Sequence, residues 1–183
     1  FIGISLFYFT INFIGLGYDA LCRQRIKEVS VMSENQEAVI HNEFETRLVR
    51  LPFQIFLLIA ENDDNVDTSE WMAFIKILKE KNVCDSPYAR GVLGKTEDKL
   101  QALKLGYERK EIKNDPEEIK KTLIMIEKRL KPEESAMFGA DMEKLAEGIA
   151  DASSKKSFLG RITHATNEQV SFLHQMIEEV VQK

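Results

Sequence analysis

The chain has 183 residues, 44% of them hydrophobic and 30% charged, with a formal net charge of −5. That length fits one domain, or one domain with a short appendage, and the composition supports a packed core rather than disorder. The acidic balance argues against the basic footprint of a nucleic-acid binder, and two cysteines, Cys22 and Cys84, with no CxxC spacing, exclude a disulfide framework and a thiolate zinc site and fit a reducing compartment.

Glycine and proline are scarce, so long helices are the natural expectation. Phe1–Tyr18 form an uncharged apolar run, followed by Arg23, Arg25 and Lys27. Crossing a bilayer takes about 20 apolar residues, so the run is marginal as a membrane anchor; its positive flank would leave the rest of the chain on the cytoplasmic face. No basic residue precedes the run and no small-x-small site follows it, unlike a cleavable signal peptide. Met32 opens a polar stretch typical of a protein start. Lys27-Glu28-Val29 can be encoded by purine-rich codons resembling a bacterial ribosome-binding sequence at a suitable distance from Met32. Three readings therefore stand for residues 1–31: a translated leader, a true membrane anchor, or a core helix. The domain proper is expected to cover residues 32–183, in the cytoplasm or, with an anchor, at the cytoplasmic face of a membrane.

From Met32 onward helix signals recur. Glu43–Leu51 reads as a short amphipathic stretch, and Pro52 as a helix start or a kink. Phe53–Ala60 is apolar nearly all round, which predicts a central, buried helix. After the polar loop Glu61–Asp67 a helix is expected over Thr68–Lys81. Asp67 and Glu70 have capping-box spacing there, and Trp71, Met72, Ile75 and Leu78 form the apolar face. Asn82–Thr96, with Pro87, Gly91 and Gly94, reads as a loop before a helix over Thr96–Arg109. Asp115-Pro116-Glu117-Glu118 is a strong helix start, with an N-cap acid, proline at the first position and acids in the first turn; the helix carries Leu123 and Ile126 inward. Pro132-Glu133-Glu134 opens another, to about Ala152, with Leu145 and Ile149 in the core. Ser153–Ala165 reads as a loop. Thr166-x-x-Gln169 has capping-box spacing and opens the last helix, carrying Phe172, Leu173 and Ile177 inward. The fold class expected is all-α: a single antiparallel bundle of about six or seven helices.

The two ends of this bundle resemble one another. Ile59-Ala60 matches Ile149-Ala150, Thr68-Ser69-Glu70 matches Thr166-Asn167-Glu168, and Phe74-Ile75 matches Phe172-Leu173. Each half is a buried helix, a polar loop and an amphipathic helix, so two similar halves would share one core. The segment Ala60-x-x-Asp63-Asp64-Asn65-Val66-x-x-x-Glu70 resembles the A-x-x-D-G-x-[IV]-x-x-x-E pattern of the TerB-like, tellurite-resistance family. The resemblance covers about residues 45–182. Asp64 stands where the family has Gly, and the second half offers Asp151 and Ser153 in place of the matching aspartates. The resemblance implies a compact helical bundle, a role in tellurite or metal stress, and a metal-binding acidic surface, with no defined enzymatic activity. Related domains occur fused to membrane anchors and co-chaperones, so an N-terminal anchor fits the resemblance, and an interaction module that docks a protein partner is the alternative expectation.

Asp63, Asp64, Asp67 and Glu70 are the leading candidate metal ligands, because closely spaced carboxylates suit a hard divalent cation. The same residues have a plainer reading: Asp67 and Glu70 cap a helix while Asp63 and Asp64 form a solvated turn. An EF-hand is excluded, since Thr68 and Phe74 fall where that loop needs Gly and Glu. Ala89-Arg90-Gly91-Val92-Leu93-Gly94-Lys95-Thr96 imitates a P-loop but lacks the first Gly and a preceding apolar strand. His41, His164 and His174 form no metal-binding pair, and Cys84 has no catalytic histidine near it in sequence. No catalytic constellation of a familiar class emerges. The chain is expected to act by binding, as a stress-response protein holding a divalent cation or as an interaction module with no metal site.

Overall fold

A computed structural model describes residues 39–60, 66, 68–154 and 163–181. The described residues form six helices and no strand: α1 (39–60), α2 (Thr68–Glu80), α3 (Pro87–Glu108), α4 (Pro116–Glu127), α5 (Pro132–Ser154) and α6 (Thr163–Val181). This is the all-α bundle that the sequence predicts. The chain divides into two units, Phe1–Glu43 and Phe44–Lys183. In the first, residues 39–43 are described and are helical, with Val39 and Ile40 exposed. The second unit is the bundle.

The apolar run at 51–60 becomes its centre. Every residue from Leu51 to Ala60 is buried, as expected of a helix that is apolar all round. Pro52 neither starts nor ends α1, which continues through it. Proline removes a helical N–H and disturbs the carbonyls of the preceding turn. One of those carbonyls, that of Val49, lies 2.9 Å from the Thr96 hydroxyl on α3, which also lies 3.0 Å from the Val92 carbonyl and donates to one of them at a time.

Around α1 stand the helices that bury its faces. Phe53 and Phe56 meet Trp71 and Phe74 of α2; Phe56 stacks on Phe74 with ring centroids 4.5 Å apart, and the Trp71 ring lies 4.9 Å from that of Phe56. Such aromatic pairs add to the large area each ring removes from water. α5 is the second hub, packing against α2, α3, α4 and α6. Where α5 meets α6, a Cβ on Gly139 would fall 2.8 Å from the Ile177 Cγ2 methyl, so these helices approach as closely as they do because residue 139 has no side chain.

Several expected boundaries and faces move. Residues 87–95 are helix, not loop: Ser86 caps α3, its hydroxyl accepting from the Ala89 N–H at 3.0 Å, and Pro87 takes the first position, where a missing N–H costs nothing. Gly91 and Gly94 thus lie inside a helix, and Thr96 is a buried interior residue rather than a helix start. On α2 the buried stripe is Phe74, Ile77 and Leu78 with Trp71 half-buried, while Met72 is 63% exposed and Ile75 only half-buried. The α6 helix begins at Thr163, before the expected Thr166 cap. Phe172 is 45% exposed and leaves Leu173, Met176, Ile177 and Val180 as the buried face. The matched pairs Phe74-Ile75 and Phe172-Leu173 therefore do not play equivalent parts: the first residue is buried in one, the second in the other. No helix among the described residues is long and apolar enough to cross a membrane. The expected boundary at Met32, and the segment before it, lie outside the described residues.

Candidate functional site

Of the four candidate ligands, Asp63, Asp64 and Asp67 lie outside the described residues. Glu70 stands in the first turn of α2, half-buried and engaged with a partner. The other described positions of the motif are apolar anchors: Ala60, the last residue of α1, is buried, and Val66 packs against the core. Among the described residues no three His, Cys, Asp or Glu side chains converge to hold a metal ion.

The P-loop imitation at 89–96 is resolved by the fold. Ala89, Val92, Leu93 and Thr96 are the inward face of α3's first turns, so the N–H groups of this segment serve the helix rather than a phosphate.

A polar cluster that no local motif announces stands at the start of α3. Asp141 of α5 is 1% exposed, and its two carboxylate oxygens accept from the backbone N–H groups of Asp85 and Ser86, each at 2.8 Å. The chain entering α3 is thereby pinned to α5. Lys144 pairs with Asp85 and approaches Asp141 at 4.0 Å, and its hydrogen bond holds the Asp85 carboxyl below the ordinary range. Cys84 lies beside this cluster, buried, with Arg90 donating to its carbonyl at 3.1 Å. Burial, reinforced by the Asp141 charge, pushes its thiol up to about 12. A nucleophilic cysteine needs its thiolate near neutral pH, so Cys84 is a packing residue. The only signal for this cluster was an aspartate, Asp141, on the apolar face of a helix otherwise carrying Phe138, Met142 and Leu145 inward.

His174 on α6 sits 2.9 Å from Glu143 of α5 and 3.4 Å from Glu178 one turn along. Hydrogen bonding to Glu143 raises its pKa above the ordinary imidazole value. The arrangement is an exposed interhelical clasp.

A recess with mixed chemistry lies between α1 and α3, with a volume of about 350 Å³. Val49, Ala102, Leu103 and Ile112 supply apolar lining, and Glu45, Arg50, Lys99 and Glu111 supply charge. It exists because the chain folds back at the end of α3: Lys110 adopts φ 62°, the Glu111 and Ile112 N–H groups both reach the Gly106 carbonyl, and the Ile112 side chain lies over Gly106 where a Cβ would come within 3.0 Å of it. Glu45 is satisfied by Lys95 at 2.6 Å. Among the described residues, the side chains of Arg50, Lys99 and Glu111 form no ion pair. Neither the histidine clasp nor this recess has a sequence motif; both arise from residues far apart in the chain.

No family model, no curated protein and no solved structure matches the chain.

Proposed function

We propose that this protein acts by binding, as a TerB-like stress-response protein that takes a divalent cation through Asp63, Asp64, Asp67 and Glu70. The observation that supports this reading is the division of labour along the motif. Its apolar positions, Ala60 and Val66, are held against the core, and its last acid, Glu70, stands in the first turn of α2. Asp63 and Asp64 fall in sequence between the two apolar anchors. Neighbouring carboxylates repel one another until a proton or a cation joins them, so such a cluster favours a hard cation with oxygen ligands.

The test is calorimetric titration of the metal-free protein with calcium, magnesium, manganese and zinc. A genuine carboxylate site binds at least one of them, and binds it more tightly as pH rises through the carboxylate range, because protons and cation compete for the same oxygens. Absence of binding to all four would remove the cation and leave the interaction-module reading, in which the acidic positions are solvated and a protein partner is the ligand.

A further inference from the structure

We propose that the recess between α1 and α3 binds a short apolar peptide with free termini, about three residues long, through its two end charges. The recess is polarised along its length. Lys99, Ala102, Leu103 and Gly106 form one stripe of α3, and Lys99 and Gly106, seven residues apart, are separated by roughly 10 Å along the axis. At one end, Arg50 and Lys99 both lie within a turn of the Thr96–Val49 contact that joins the two helices. At the other, a Glu111 carboxylate oxygen comes within 4.0 Å of where a Gly106 Cβ would stand. Between the charged ends the lining is apolar. Among the described residues, these two cations and this carboxylate are not paired, whereas Glu45 beside them is neutralised by Lys95. A ligand matching this pattern carries an anion at one end, a cation at the other and apolar substance between.

An extended chain advances about 3.3–3.6 Å per residue, so three residues place an ammonium and a carboxylate roughly 10 Å apart. At about 30 Å³ for each water-sized group, 350 Å³ takes on the order of a dozen non-hydrogen atoms, the greater part of a small tripeptide. Exposed Ala102 and Thr46 leave one side open, so the ligand's backbone groups keep water. In this geometry the ligand's carboxylate meets Arg50 and Lys99, and its amino terminus meets Glu111. The inference is independent of the cation reading, since none of these residues lies between 60 and 70.

The probe is the tripeptide Ala-Val-Ala, titrated into the full chain and followed by calorimetry or amide chemical shifts, beside its N-acetyl and its C-amide forms. The free peptide is expected to bind at about millimolar strength, as befits so small a ligand. Each capped form should bind about tenfold or more weakly. Glu111→Gln should lower affinity for the free peptide but not for the N-acetyl form. Arg50→Gln with Lys99→Gln should do so for the free peptide but not for the C-amide form. These side chains sit at the surface, and unchanged circular dichroism would show that the variants fold. Ala102→Phe, which fills the recess from an exposed helical position, should abolish binding. Equal binding of the free and capped peptides, binding that survives Ala102→Phe, or no binding of the free peptide would each overturn the proposal.

Discussion

Replacing Asp141 by Asn tests the tie between α5 and α3 with almost no change of shape. The parent carboxylate accepts two backbone N–H groups at 2.8 Å from a site that is 1% exposed. Asparagine keeps one acceptor oxygen and presents an NH₂ group to the second N–H. One hydrogen bond to a charged acceptor, at about 1.5–3 kcal/mol, is lost, and the donor left facing a donor adds to the deficit. Relief from burying a charge offsets part of this, so a net loss of about 2–3 kcal/mol is expected in urea unfolding. Asp141→Ala removes both acceptors and should cost more. The local signature is as informative as the total: native-state hydrogen exchange at Asp85 and Ser86 should accelerate in Asp141→Asn. It should stay protected in Lys144→Gln, which leaves both backbone bonds in place. Stability within about 0.5 kcal/mol of the parent, with exchange at Ser86 unchanged, would refute the role assigned to Asp141.

Gly91→Ala should stabilise the fold by about 0.5–1 kcal/mol in the same unfolding assay, since the position is inside α3 and an added Cβ meets nothing within 4 Å. Gly139→Ala should destabilise by about 1–3 kcal/mol, because its Cβ would overlap the branched Ile177 methyl where α5 and α6 meet. The His174 imidazole should titrate above the ordinary value by proton NMR and return toward it in Glu143→Gln. Its folded pKa is raised, so its contribution to stability is full below the unfolded imidazole value and fades as pH rises through the folded one.

Much of the fold is legible in the residues because burial and capping leave local marks. The all-round apolar run at 53–60 announces the central helix, and Asp115-Pro116 and Pro132-Glu133-Glu134 announce the starts of α4 and α5 within a residue. The start of α3 is marked by Ser86-Pro87 and obscured by Gly91 and Gly94: an N-cap serine with proline next to it fixes a helix start, whereas two glycines only weaken a helix interior. On α2 the stripe through Met72 and Ile75 and the stripe through Phe74 and Ile77 both have helical period, and tertiary contact with Phe53 and Phe56 selects the second. The Asp141 tie and the α1–α3 recess were illegible for a different reason: each joins residues about fifty or more positions apart, and no local pattern records such a pairing.

Whether the acidic segment binds a cation is decided by comparing the parent with a variant carrying Asp63→Asn and Asp64→Asn in a single calorimetric titration series. Asparagine keeps the size of each side chain and removes its charge. Neither position is the expected cap of α2, so circular dichroism and the unfolding midpoint should stay near those of the parent. Cation affinity should then fall sharply while the fold persists. Cation affinity equal to that of the parent in a folded double variant would contradict the cation reading.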